Sequence, residues 1–134
     1  MKFPLFSKKS EEDERKIIAR AELQEAINDC RYLINQLNKI LSDKKAKETR
    51  MQFDKILHNL QDADAFLKEI NESNKSTVIE ELNKAQKDID SKPFNQNIKD
   101  LANQQIISKL DESRIISIRA KISKLTGSVQ KFNF

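Results

Sequence analysis

Residues 46–70 read AKETRMQFDKILHNLQDADAFLKEI, and within them small or apolar side chains recur at steps of three and four. This spacing places those side chains on one face of an α-helix, in a pattern close to a heptad seam. The seam positions are Ala46, Thr49, Phe53, Ile56, Leu60, Ala63, Leu67 and Ile70, with Leu57 and Phe66 widening the stripe. The other faces are polar, with side chains such as Lys55 and Asp62. The stretch therefore predicts an amphipathic helix that needs partner helices to cover its apolar face.

The composition of the whole chain favours further helices over strands. The 134 residues include one Gly, two Pro and no Trp, and aromatic residues make up only 6%. So few turn-forming and aromatic residues are typical of long helices with few corners, and not of a β-sandwich or barrel. We therefore predict an all-α fold, an antiparallel helical bundle built on a long hairpin of helices 1 and 2 with shorter C-terminal helices. The length suits a single domain.

Five helices are predicted from the apolar periodicity and from capping residues. Their predicted bounds are about 11–41, 44–71, 78–90, 96–110 and 112–126. The expected capping residues are Ser10, Asp43, Asn95 and Gly127, with a capping box at Thr77–Glu80. The bundle domain then covers residues 10–134 and leaves residues 1–9 as an apolar-basic arm.

The first nine residues, MKFPLFSKK, combine bulky apolar side chains with lysines. Pro4 opposes a regular helix through them. Such a peptide can touch an anionic membrane or a partner, because its apolar side chains insert while its lysines meet anionic groups. The predicted contact residues are Lys2, Phe3, Leu5, Phe6, Lys8 and Lys9. The alternative is a terminal arm that packs back on the bundle or has no fixed structure.

A second candidate site is a basic ridge on the last helix. The chain has a net charge of +4, and residues 92–134 contain eight Lys and Arg against three Asp and Glu. Helical spacing places these cations away from the apolar stripe of that helix. The basic ridge consists of Arg114, Arg119, Lys121, Lys124 and Lys131. It suits an anionic membrane, an acidic protein or a nucleic-acid backbone; the alternative is a bundle helix with a basic outer face.

The sequence contains no recognisable enzymatic constellation. A single Gly excludes a glycine-rich phosphate loop. The single cysteine, Cys30, lies in the apolar seam of helix 1, which predicts a buried thiol and no intramolecular disulfide. Asp54, His58 and Asp62 share one face of helix 2, which permits a metal site, but a solvated outer face is the favoured interpretation. We therefore expect no catalysis, no cofactor and no metal.

Together these patterns favour a non-enzymatic interaction or adaptor protein. We expect it to bind a protein partner or an anionic membrane surface through the basic C-terminal helix and the apolar-basic N-terminus. The alternatives are a nucleic-acid-binding accessory factor and a structural coiled-coil homo-oligomer. With no secretory apolar segment and no apolar run of about 18–20 residues, the expected location is the cytoplasm, including the inner face of the membrane as a peripheral site.

Overall fold

The structure, a computed structural model, describes the backbone of residues 8–134 and the side chains of residues 11–134. Every regular element in this range is a helix. The described helices are α1 (Lys8–Asn38), α2 (Lys44–Lys68), α3 (Lys75–Ile89), α4 (Lys92–Asn103) and α5 (Lys109–Gln130). The predicted all-α fold is confirmed. None of these helices combines the length and the hydropathy that a membrane span requires.

Four of the described helices surround one core. α1 and α2 form the predicted antiparallel hairpin, α3 packs on α2, and α5 packs on both α1 and α3. Two ion pairs give the register: Arg20 Nε of α1 lies 3.2 Å from Asp64 Oδ1 of α2, and Lys124 Nζ of α5 lies 2.8 Å from Glu22 Oε1 of α1. The helices therefore run up, down, up and down, as in a four-helix bundle.

The apolar seam of α2 lies at the centre of this core. Its positions from Ala46 to Leu67 are buried, as predicted, and Ile70 is partly buried just past the helix end. Leu23 of α1, Leu82 of α3 and Ile118 of α5 are fully buried against the same core. Each large apolar side chain buried in this way contributes roughly 1.5–3 kcal/mol relative to an exposed one. Packing of matched stripes therefore stabilises the bundle.

Phe66, which was assigned to the α2 stripe, is exposed and lies outside the core, so that assignment is wrong. Two apolar residues near the ends of the first helix are exposed as well: Ile17, at 67%, and Leu41. Phe66 precedes the buried Leu67 by one residue and therefore points about 100° away from it. Leu41 follows the end of α1 and lies in the connection to α2.

The fourth and shortest helix, α4, completes the bundle where α3 ends. α3 has 15 residues, about 22 Å of helix, whereas α2 has 25, about 37 Å. α4 covers the remaining half of α2: the Phe94 ring packs edge-on against Phe53 at 5.1 Å between centroids, and Lys45 bonds to Asp100. α4 makes little contact with α5. This geometry leaves an open cleft between α4 and α5.

The predicted start of the first helix is wrong. α1 begins at Lys8, so Ser10 lies inside the helix and is not its cap. Lys8 and Lys9 consequently belong to the first turn of α1 and not to the arm. The start of the second helix is confirmed: Asp43 Oδ1 accepts a hydrogen bond from the Ala46 N–H at 2.9 Å.

The predicted start of the third helix is also wrong. α3 begins at Lys75, three residues earlier than predicted, because asparagines close the preceding turn. Asn71 Oδ1 accepts hydrogen bonds from the backbone N–H groups of Ser73 at 2.8 Å and Asn74 at 3.1 Å. Thr77 therefore lies inside α3 and does not begin a capping box.

The fourth helix begins before its predicted cap. α4 starts at Lys92, with Pro93 in its first turn and Ser91 as N-cap; Ser91 Oγ accepts a bond from the Phe94 N–H at 3.4 Å. Proline is tolerated there because the first N–H groups of a helix have no intrahelical acceptor. Asn95 lies inside the helix, and its Nδ2 donates to the Ile89 carbonyl at 3.0 Å.

The break before α5 also lies earlier than predicted. Residues 104–108 separate α4 from α5, and Ser108 Oγ caps α5 by accepting a bond from the Asp111 N–H at 3.1 Å. Gly127 lies inside α5, which continues to Gln130, so its predicted role as a helix end is wrong. Past that end, Phe132 is buried against the bundle.

Candidate functional site

The predicted N-terminal contacts fall largely outside the part of the chain that the structure describes. Lys2, Phe3, Leu5 and Phe6 lie outside the described residues. For Lys8 and Lys9 the structure describes the backbone, which forms the first turn of α1. Their contact with a membrane or a partner stays a prediction.

Three cations of the basic ridge face carboxylates of α1. Besides the Lys124–Glu22 pair, Lys121 Nζ lies 3.0 Å from Glu25 Oε2. The third cation is Arg114, whose Nη1 lies 3.5 Å from an Asp29 carboxylate oxygen. The pairing arises because acidic residues of α1 and cations of α5 recur at helical spacing, and the two helices run antiparallel. This part of the basic ridge therefore closes the border between α1 and α5.

Arg114 also stacks on an aromatic ring. Its guanidinium carbon lies 4.2 Å from the centroid of the Tyr32 ring, a cation–π contact. On its own helix, its Nε lies 3.7 Å from Asp111 Oδ1. These contacts hold the guanidinium against α1.

Arg119 faces a different border of the bundle. Its Nη2 donates to Asn95 Oδ1 at 2.6 Å and to the Ile89 carbonyl at 3.2 Å, and its Nε lies 3.0 Å from Asp90 Oδ1. A cation at the end of α3 also satisfies carbonyls that have no partner within that helix. Arg119 therefore joins α5 to the turn between α3 and α4.

Lys131 lies beyond the end of α5 and is exposed, with no ion pair to any described residue. Lys131 lines one groove together with Lys124 and with Arg15 of α1, whereas Arg119 lies at the α3–α4 turn and Arg114 and Lys121 lie further along the α1 border. The structure does not bring the five cations together on one open surface.

A cleft between α4 and α5 is the second feature that can serve as a site. Its volume is about 820 Å³. Ile98, Ile107 and Ile115 form its floor and are nearly buried, whereas Ile116 stands on its α5 wall and is 61% exposed. Arg119 lies at one end of the cleft. We call this feature the α4–α5 cleft.

A tight turn after α4 shapes the open end of the cleft. The Gln105 N–H bonds to the Ala102 carbonyl at 3.0 Å, and the Ile106 N–H bonds to the Leu101 carbonyl at 2.9 Å. Together with a φ of 61° at Gln105, this is the Schellman arrangement of a helix end. The turn reverses the chain within a few residues, so that α5 leaves at an angle to α4.

The rim of the cleft is polar and mainly basic. Lys99 of α4 and Lys109 of α5 are exposed on it and form no ion pair with a described residue. Glu112 is the one carboxylate among the lining residues. An apolar floor with a mainly basic rim is suited to an amphipathic segment that carries acidic side chains.

The other candidate residues have ordinary structural surroundings. Cys30 is buried, as predicted; burial raises the pKa of its thiol to about 12, with a smaller contribution from the Asp29 carboxylate. Such a thiol is protonated and unreactive at neutral pH. On α2, His58 Nε2 lies 3.3 Å from Asp62 Oδ2, while Asp54 pairs with Arg50 at 2.6 Å. Among the described residues no three side chains are grouped as metal ligands.

No protein-family model, no curated protein and no solved structure matches this chain.

The α4–α5 cleft was not predicted from the sequence. One signal for it was present: Ile116 lies beside the regular seam of Ile115, Ile118 and Ile122 and is an extra apolar residue on α5. Whether such a residue faces a neighbouring helix or solvent depends on where α4 packs, and the periodicity of α5 contains no information on that.

Proposed function

We propose that this chain is a non-enzymatic interaction protein that binds a protein partner in the α4–α5 cleft. The observation that carries the proposal is the open α4–α5 cleft, in which Ile116 is 61% exposed on the α5 wall beside a floor of nearly buried isoleucines, Ile98 and Ile115 among them. Exposed contiguous apolar surface with a polar rim is typical of a binding site.

The form of the cleft favours a helical partner segment. α4 has 12 residues, about 18 Å of helix, so the cleft accommodates about three helical turns of a partner. Amphipathic helices bind in such grooves through apolar side chains spaced by three and four residues. Lys99 and Lys109 on the rim favour acidic residues on the polar side of that segment.

The basic ridge supports anion binding less strongly than the cleft supports a partner. An outside anion at Lys121 or Lys124 competes with Glu25 and Glu22, which already lie within 3.0 Å of these ammonium groups. The same competition applies to a nucleic-acid backbone, which depends on many cation–phosphate contacts. The proposal therefore places the partner at the cleft.

Site-specific photo-crosslinking in the cells that make the protein tests this proposal. A photoreactive residue replaces Asn103 on the rim of the cleft, and a matched one replaces Lys55 on the outer face of α2; both positions are exposed. We expect covalent adducts from position 103 alone. Ile116→Glu should abolish them, whereas Met51→Glu, at another exposed apolar residue, should not. Equal adducts from both positions, or none from position 103, contradict the proposal.

An anionic membrane surface is the second candidate, and one observation favours it. The start of α1 and the C-terminal residues lie at the same end of the bundle, because the Asn133 N–H lies 3.3 Å from Glu12 Oε2. The exposed Phe134 and Lys131 are therefore close to the start of α1, to which the apolar-basic residues 1–7 are joined. The acidic run of residues 11–14 opposes this candidate, since carboxylates repel an anionic surface.

Co-sedimentation with vesicles decides on the membrane candidate. The full chain and a chain without residues 1–7 are compared on phosphatidylglycerol and phosphatidylcholine vesicles. Pelleting on the anionic vesicles that is lost on truncation supports the membrane. Absence of pelleting for the full chain rules this candidate out.

A further inference from the structure

The N-terminal turns of α1 extend past the neighbouring helices. With Arg20 opposite Asp64 in antiparallel helices, the last residue of α2 lies about level with residue 16 of α1. The Lys124–Glu22 pair places the end of α5 at about the same level. The residues after α5 cover one side of this extension, at Glu12. At Ile18 the last turns of α5 form the other wall of a shallow groove, with Lys124, Ser128 and Phe132 beside it. No ion pair or side-chain hydrogen bond joins Glu11 or Glu14 to another described helix.

The uncovered side of this extension is apolar and acidic. Glu11 and Glu14 are exposed, and one turn further on Ile17 and Ile18 are 67% and 52% exposed. Steps of three and four residues place these four side chains on neighbouring rows of one helix face. We call this face, Glu11, Glu14, Ile17 and Ile18, the α1 stripe.

The α1 stripe matches the α4–α5 cleft in chemistry and in length. The stripe has two exposed isoleucines and two carboxylates, and the cleft has an apolar floor with Lys99 and Lys109 on its rim against one carboxylate, Glu112. The stripe spans about 10 Å along its helix, within the roughly 18 Å offered by α4.

The two surfaces of one chain cannot meet each other. The cleft lies beside the start of α5, and the α1 stripe lies at the level where α5 ends. The 22 residues of α5 separate these levels by about 33 Å of rigid helix. An interaction between them therefore requires two copies of the chain.

We propose that the α1 stripe of one copy docks in the α4–α5 cleft of a second copy. This inference rests on the proposed function, because it names the occupant of the same cleft. Each copy uses a different surface, so the contact is heterologous: it is head to tail, and it produces a ring or an open chain of copies. A contact of about two helical turns is small, so the association is weak and concentration-dependent.

Sedimentation equilibrium of the full chain, from about 10 μM to about 1 mM, tests the proposal. We expect an average mass above that of the monomer, which rises with concentration. Ile18→Glu and Ile116→Glu should each weaken the association at least about a hundredfold, because each inserts a carboxylate into an apolar contact. Met51→Glu, at an exposed residue of α2 remote from both surfaces, should associate like the unmodified chain.

Mixing the two variants gives the sharpest outcome. The Ile18→Glu chain keeps an intact cleft, and the Ile116→Glu chain keeps an intact stripe, so an equimolar mixture should form one-to-one dimers and stop there. A mixture that stays monomeric, or a full chain that is monomeric throughout the range, overturns the inference. If position 103 still crosslinks to a different protein in that case, the proposed function stands. Only the assignment of a second copy as the occupant of the cleft is then wrong.

Discussion

The two flanks of α5 are covered in different ways, and the difference explains why the α4–α5 cleft is open. On one flank, α1 runs along the whole helix, and ion pairs such as Lys124–Glu22 close the border. On the other flank α3 packs against the C-terminal part of α5, whereas α4 meets its N-terminal part only briefly and leaves Ile116 61% exposed. α1 has 31 residues and α4 only 12, against 22 in α5. The open surface thus arises from a mismatch of helix lengths and not from an excess of charge.

The largest effect is expected from a core residue of α5, compared with its neighbour in the cleft. Ile118→Ala should lower the free energy of unfolding by about 2–5 kcal/mol, because Ile118 is fully buried and truncation leaves a cavity. Ile116→Ala should change it by less than about 0.5 kcal/mol. Urea denaturation of both variants measures the difference. Similar losses from the two substitutions mean that Ile116 is covered in solution.

The next effect concerns the hydrogen bonds by which Arg119 joins α5 to the α3–α4 turn. Arg119→Met should cost about 1–3 kcal/mol, because it removes bonds to Asn95 and to the Ile89 carbonyl. Hydrogen exchange of the amides in residues 89–95 should accelerate. Arg114→Met on the α1 flank is the matched control and should cost less than about 1 kcal/mol. Equal losses of unfolding free energy in Arg119→Met and Arg114→Met would show that the contacts on the two flanks contribute equally to stability.

A stabilising substitution is expected at the turn that opens the cleft. Gln105 has a φ of 61°, a conformation in which a side chain costs roughly 1 kcal/mol relative to glycine. Gln105→Gly should therefore raise the free energy of unfolding by about that amount, as measured by thermal denaturation. Gln104→Gly, at a φ of −84°, should give no gain. A loss of stability in Gln105→Gly would contradict the left-handed turn.

A smaller effect is expected on the closed flank. A double-mutant cycle of Lys124→Gln and Glu22→Gln should give a coupling of about 0.2–1 kcal/mol, because the pair is partly exposed to solvent. The coupling should decrease as salt is added, since salt screens surface charges. A coupling that is unaffected by salt is incompatible with a solvated ion pair.

The smallest effect concerns pH and the anchoring of α4 on α2. Hydrogen bonds from Lys45 and Gln96 lower the pKa of the Asp100 carboxyl below its ordinary value of 3.8. A lowered pKa in the folded state means that this stabilisation is present above the ordinary pKa and is lost as the pH falls through the folded-state value. Asp100→Asn should therefore be less stable than the unmodified chain at pH 7.

The gap between these two proteins should narrow in strong acid, where the unmodified Asp100 is also neutral. Urea midpoints across the pH range measure the gap, and carbon NMR of the Asp100 carboxyl follows the titration. A gap of constant size between neutral pH and strong acid would exclude the Lys45 pair as its cause.

The sequence predicted the main helices better than their ends. The seam of α2 and its Asp43 cap are confirmed, because both depend on residues within a few positions of one another. The starts of α3 and α4 are wrong, since several polar residues in each connection can serve as the cap. Ser91 caps α4 in place of Asn95, and Asn74 stands at the N-cap position of α3 in place of Thr77, with its side chain bonded to the Glu69 carbonyl at the end of α2. Local sequence offers both options, and packing against α2 selects one.

What the sequence by itself determined is the all-α class, the burial of the α2 seam and the thiol of Cys30, because an apolar repeat of three and four defines a helix face without reference to the rest of the chain. Tertiary structure alone decided that Lys124 meets Glu22, a residue 102 positions away, and that the crossing of α4 leaves Ile116 uncovered. The physical reason is that helical periodicity is set within a few residues. The neighbours of a helix face depend instead on the lengths and registers of distant helices.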